Sequence, residues 1–163
     1  KQFVDAMTQY LLVTSIEPNF VEFRNGFMSV CDSEMVKSMH PEELELLVCG
    51  NPELNFHELR GSTRYDGYDE NDDTIKMFWE VVEEFTTAQQ KTFLKFCTGS
   101  DRVPIRGLKD LNFVVGKNGD EGALLPTAHT CFNHLLLPMY KSKDVLKQKL
   151  LLAIENCTGF GLI

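Results

Sequence analysis

The stretch LPTAHTCFNHLLLP, residues Leu125 to Pro138, decides how this chain is read. Its second half is a short apolar run stopped by Pro138, the pattern of a strand. Its first half sets Cys131 beside Thr130 and two residues after His129, on the approach to that strand, so the thiol is expected at a strand edge or in a loop. If the segment is extended, residues i and i+2 project to the same face. His129 would then favour the thiolate, of which an unperturbed pKa of about 8.5 leaves only a few per cent at neutral pH. Such a cysteine is a candidate nucleophile; the competing reading is a small buried hydrophobe.

Working outward, LKDLNFVVGKNG has a β-branched and aromatic centre followed by the turn pair Asn118-Gly119, and reads as a second strand. Downstream, Ser142 can cap a last helix whose apolar face is Leu146, Leu150, Ala153, Ile154 and Cys157, with Gly159 as its stop. Upstream, Ile75, Phe78, Val82 and Phe85 mark one helix, and TTAQQKTFLKFCTG marks another, with Thr87 and Gln90 as a capping box and Gly99 as its end. ELNFHEL suits a short strand or a loop entry. TRYDGYDENDD gathers five carboxylates between Asp66 and Asp73 at a spacing unlike a calcium loop, so it reads as a solvated surface turn.

The first third is helical throughout. Phe20, Phe23, Phe27 and Val30 recur at helical spacing, as do Phe3, Met7, Tyr10 and Leu11 before them. In HPEELELLVCGNP, Pro41 fits the first helical position, the acids that follow fit the positive end of the dipole, and Gly50 fits the stop. A break between two units is expected at Cys49 to Glu53. Helices plus a few strands give an α/β or α+β second unit.

A net charge of -8 with no basic run longer than two residues speaks against nucleic acid as a partner. No stretch reaches the roughly 18 to 20 apolar residues a membrane span needs, and the opening residues Lys1 to Asp5 do not read as a signal-peptide h-region. The five cysteines, Cys31, Cys49, Cys97, Cys131 and Cys157, are scattered and odd in number, which fits thiols in a reducing compartment better than disulfides or zinc. Helical packing accounts for Cys31, Cys49, Cys97 and Cys157. His40 reads as a helix cap, His57 as a half-exposed strand residue and His134 as one position of an alternating run. The chain reads as soluble and intracellular and, lacking an initiator Met, as a piece of a longer protein.

LPTAHTCFNHLLLP, followed by a capped helix and the tail GFGLI, resembles the C-terminal end of the HECT family of ubiquitin-protein ligases. FWEVVEEFTTAQQKTFLKFCTGSDRVPIRGL resembles that family's run from an aromatic helix into a loop carrying Thr98, Gly99, Arg102 and Pro104, and HPEELELLVCG the end of its N-terminal lobe. The resemblance runs through all 163 residues in order.

It implies a helical remnant of the N-terminal lobe over residues 1–49, a hinge over 50–53 (Gly50, Asn51 and Pro52) and an α/β C-terminal catalytic lobe over 54–163, with a small sheet flanked by helices. Cys131 would accept ubiquitin from a conjugating enzyme as a thioester and pass it to a lysine of a protein substrate. His129 and Thr130 would flank the reacting sulfur. Arg102 would orient the cysteine loop, hold ubiquitin or simply brace a carbonyl, and Phe160, fourth from the end, would assist the handover. No metal or organic cofactor is implied, and the expected location is the cytoplasm or nucleus. The part that recruits the conjugating enzyme would lie upstream of Lys1. Two other readings compete: a non-catalytic module that binds ubiquitin or another protein, and a Cys-His thiol hydrolase, which needs a histidine held by a third residue.

Overall fold

The computed structural model describes residues 1–31, 33–119 and 124–156. The chain divides into two compact units, Lys1–Glu45 and Leu46–Ile163.

In the first unit α1 (Gln2–Gln9) runs into a π-helical turn (Tyr10–Thr14), followed by α2 (Glu17–Val30), α3 (Ser33–Ser38) and the start of α4 (Pro41–Cys49). Pro18 lies in the first turn of α2, where its missing N–H leaves no helical bond unmade. Phe23 and Phe27, one turn apart, stack with ring centroids 6.0 Å apart. The helical reading of this region holds, but neither α1 nor α2 buries a residue, and Phe3, Tyr10, Phe20 and Phe23 are exposed. Pro41 opens α4, and the His40 N–H donates to the Glu43 carboxylate at 2.8 Å.

The second unit contains α5 (Phe56–Ser62), β1 (Arg64–Asp66), α6 (Asp73–Glu83), α7 (Thr87–Thr98), a 3₁₀ turn (Leu108–Asp110), β2 (Val114–Lys117), β3 (Thr127–His129), a second 3₁₀ turn (Thr130–Phe132), β4 (His134–Leu137) and α8 (Lys143–Glu155). Among the described residues the sheet has the order β1-β2-β4-β3. β2 pairs in parallel with β1 and β4, and β3 is an antiparallel edge strand on β4. The parallel β1–β2 pair requires a crossover, supplied by α6 and α7. The α/β expectation therefore holds.

One sheet face sends Val115, Leu135 and Leu137 into the core, where they meet residues of α6, α7 and α8. Phe56, Phe78, Phe85 and Phe113 surround Phe93 at centroid distances of 5.9, 6.0, 6.3 and 6.2 Å, within the range of favourable aromatic pairs. The buried Trp79 indole donates to the Tyr65 hydroxyl at 2.9 Å, so its polar atom is not left unsatisfied. α8 is capped by Ser142, whose hydroxyl accepts from the Val145 N–H at 3.4 Å, and it buries Leu146, Leu150, Ala153 and Ile154 as its periodicity predicts. Cys157 and Gly159 lie outside the described residues.

Five local readings need correction here. ELNFHEL forms helix α5 rather than a strand or loop: Asn55 is extended at its start, and Phe56 and Leu59, three residues apart, share the buried face. His57 is consequently an exposed helix residue. The capping box of α7 is Thr86 and Gln89, not Thr87 and Gln90. Both pairs have the same Thr-x-x-Gln spacing, but Thr86 has the extended backbone of a cap (φ -62°, ψ 158°) and Thr87 is already helical. Cys49, expected to be packed, is exposed on the last turn of α4, and Cys31 is only half-buried.

Candidate acceptor site

Cys131 lies in the turn that joins β3 to β4. The strand ends at His129, Thr130 to Phe132 make one 3₁₀ turn, and Asn133 adopts the left-handed conformation (φ 49°, ψ 42°) before the chain enters β4. Asparagine tolerates that conformation better than most residues. Here it is also fastened: its Nδ2 donates to the Leu111 carbonyl at 2.7 Å, its N–H donates to the Thr130 carbonyl at 3.3 Å, and its carbonyl accepts from the Val114 N–H at 3.0 Å. The turn is thereby bound to the strand at the centre of the sheet. Behind it α7 packs along β3 and the turn.

The hairpin is also held at its outer ends. Pro126 and Pro138, the two bracketing prolines, are buried. The Tyr140 hydroxyl donates to the Leu124 carbonyl at 2.8 Å, and the Tyr68 hydroxyl to the Leu137 carbonyl at 2.9 Å. Burial pushes the Tyr140 hydroxyl up to about 12, so it remains a proton donor throughout the physiological range. From this frame Cys131 projects as an exposed free thiol, with half-buried Thr130 before it and Phe132, 75% exposed, after it.

The expected pairing of His129 with Cys131 on one extended face is not observed. The strand stops at His129, and Cys131 follows in a 3₁₀ turn, where the alternation of a strand no longer applies. No hydrogen bond joins the two side chains. The imidazole of His129 instead faces that of His134, its register partner on β4, with ring centroids 6.2 Å apart.

Arg102 belongs to a different segment. Its Nη1 donates to the Gly50 carbonyl at 3.3 Å, and its backbone N–H donates to the Ser100 hydroxyl at 3.1 Å. Next to it Asn51 and Val103 exchange both backbone bonds, at 2.8 and 3.0 Å. The residues expected to form a hinge are thus stitched to the loop that carries Arg102. Gly50 has φ 83°, and a Cβ added there would lie 2.5 Å from the Val103 carbonyl oxygen, so only glycine fits. Phe160 lies outside the described residues.

The structure keeps Thr130 beside Cys131 in the turn, turns the His129 ring to His134, and puts Arg102 at the Gly50 strap. Sequence reasoning overlooked Asn133, and it read His134 only as one position of an alternating run. For Asn133 a signal was present: an asparagine between a turn and an apolar run is a common left-handed residue. For His134 the alternating run gave only its place in a strand, since Val114 and Gly116 on the neighbouring strand are remote in sequence.

TRYDGYDENDD, read whole as a solvated surface turn, needs correction in part: Arg64–Asp66 is strand β1, with Tyr65 half-buried against the core, and only the acidic remainder before α6 forms an exposed turn. The Asp72 carboxylate accepts the Asp69 N–H at 2.8 Å, and that of Asp69 accepts the Asn71 N–H at 2.9 Å. No helix among the described residues is long and apolar enough to cross a membrane.

Comparison with known proteins gives one consistent result. The sequence model of the HECT domain (ubiquitin-transferase) matches residues 1–163. The chain is 53% identical to the probable E3 ubiquitin-protein ligase HECTD2 of Homo sapiens over 162 residues, 99% of this chain and 21% of that protein. It is 42% identical to the probable E3 ubiquitin-protein ligase HERC4 of Homo sapiens over 164 residues, 100% of this chain and 16% of the relative. It is 38% identical to the probable E3 ubiquitin-protein ligase hulA of Aspergillus oryzae over 167 residues, 98% of this chain and 20% of the relative. The chain therefore spans at most about a fifth of the length of these curated relatives.

Proposed function

This chain belongs to the HECT-domain family of ubiquitin transferases, and on that basis we propose that its second unit is a catalytic lobe carrying ubiquitin as a thioester on Cys131. Ligases of this family work with ubiquitin, conjugating enzymes and protein substrates. The observation that carries the proposal is the exposed, free Cys131 thiol on a hairpin fastened at its turn and at both ends.

The chemistry asks for little else. The Cys131 thiolate attacks the carbonyl carbon of the thioester between ubiquitin and the conjugating enzyme. A new C–S bond forms, the old one breaks, and the conjugating enzyme leaves as a thiolate. A neutral substrate lysine then attacks the new thioester; a C–N bond forms, Cys131 leaves as a thiolate, and the amine gives its proton to a base. Exchange of one thioester for another is nearly balanced in energy. What the protein supplies is a positioned sulfur and donors for the transient oxyanion.

His129 and Thr130 flank the sulfur in this reading, Phe160 assists the transfer to lysine, and Arg102 acts by holding the Gly50 strap. The division into an N-terminal remnant over 1–49, a hinge at 50–53 and a catalytic lobe over 54–163 is part of the same proposal. An exposed thiol in service also requires a reducing compartment, so we place the protein in the cytoplasm or nucleus.

The test is to incubate the chain with an activating enzyme, a conjugating enzyme, ATP and ubiquitin, adding the upstream part of a HECT domain where docking of the conjugating enzyme requires it. A reductant-sensitive adduct on a non-reducing gel that is absent from Cys131→Ala supports the proposal. An adduct that survives Cys131→Ala refutes it.

A further inference from the structure

We propose that His134 is a positioning residue for the acceptor loop, acting through His129. The inference rests on the reading of Cys131 as the acceptor. His129 and His134 are the last register pair of the β3–β4 ladder, so they close the loop formed by Thr130, Cys131, Phe132 and Asn133. Their rings lie on the same side of the sheet, tilted by 59° at a centroid distance of 6.2 Å.

Two features show that His134 is held rather than merely present. The Nε2 atom is buried and has no hydrogen-bond partner among the described residues, an arrangement that costs stability. The imidazole also lies against Gly116 of the neighbouring strand so closely that a Cβ at that position would overlap Nε2. Gly116 sits in the interior of β2, where glycine weakens a strand unless something must approach it. The chain gives up stability at two adjacent positions to seat one ring. An apolar residue would suit position 134, which is followed by Leu135, Leu136 and Leu137.

The consequence is mechanical. β4 is anchored by Leu135 and Leu137, both fully buried, whereas β3 is a three-residue edge strand with Thr127 and His129 exposed. Cross-strand side-chain pairs are what hold such an edge in place. The pair next to the loop therefore fixes where β3 ends and where the turn bearing Cys131 begins.

The assay is single-turnover transfer of ubiquitin from the charged conjugating enzyme to the complete protein, at several enzyme concentrations, with thermal unfolding measured on the same samples. His134→Leu removes the unsatisfied nitrogen and keeps apolar bulk. It is expected to leave stability equal or higher while lowering the maximal transfer rate about threefold, with half-saturation unchanged. Gly116→Ala, which keeps the imidazole but displaces it, should lower the same rate, and His134→Ala added to Gly116→Ala should relieve the loss of stability without restoring the rate. A wild-type rate in His134→Leu, or a loss of rate that only follows a loss of stability, overturns the proposal. Cys131→Ala run in parallel separates the two readings. Its failure to abolish the adduct refutes Cys131 as acceptor, whereas its success alongside an unaffected His134→Leu refutes only the positioning role.

Discussion

The two units put their apolar residues to opposite use. In the first, α1 and α2 leave Phe3, Tyr10, Phe20 and Phe23 exposed. In the second, twenty-two of the described residues form one buried cluster around Trp79, Phe78 and Phe93. Helical periodicity is equally clear in both, so periodicity alone says which face is apolar and not what covers it. Only the second unit supplies its own cover. A catalytic cysteine needs such a body, because a turn holds its geometry only as well as the strands beneath it.

This contrast is broken most directly by truncating one aromatic in each unit. Phe78→Ala should destabilise the second unit by about 3–5 kcal/mol, and Phe23→Ala should cost under about 1 kcal/mol, as read by chemical denaturation. Equal losses would show that the first unit hides a core of its own. Gly50→Ala comes next: the left-handed backbone and the close Val103 carbonyl predict a loss of about 1–3 kcal/mol, seen in the same experiment. Asn133→Ala should lose about 1–2 kcal/mol, because the Leu111 carbonyl loses its donor and alanine tolerates the left-handed turn poorly. It should also slow thioester formation at Cys131.

The smallest effect is electrostatic. Lys143 bonds the carboxylates of both Glu80 and Glu84 at 2.8 Å, and Lys147 bonds Glu84 at 2.7 Å, tying α6 to α8 across the surface. Hydrogen bonds from Lys143 and Lys147 pull Glu84 down from its ordinary 4.5 to about 2. The folded value lies below the unfolded one, so the clamp contributes above about pH 4.5 and is lost as pH falls towards 2. Glu84→Gln should flatten that part of the acid-denaturation curve slightly and lower stability at pH 7 by the same small amount, since the groups are solvent-exposed and screened.

Much of the second unit was legible because long elements repeat their signals. Six residues of α6 face inward, Gly99 ends α7, Ser142 starts α8, and the apolar runs became β2 and β4. Short elements were not legible. α5 has seven residues, fewer than two full helical turns separate its ends, and its two buried residues fit several patterns. β1 and β3 have three residues each, too few to display alternation. At the candidate site, Cys131, His129 and Thr130 stood out locally, but the turn geometry depends on Leu111 and Val114, about twenty residues away, whose bonds to Asn133 leave no trace in the local pattern. The same holds for Arg102, whose partner Gly50 lies fifty-two positions earlier.

The central claim, that the second unit exists to present one thiol to ubiquitin, is tested most directly by intact-mass measurement of the complete protein after brief reaction with charged conjugating enzyme. The account predicts one ubiquitin attached through a reductant-labile bond, mapped by peptide sequencing to Cys131 and lost in Cys131→Ala. A ubiquitin mapped to Cys49, or one that persists unchanged in Cys131→Ala, would contradict it.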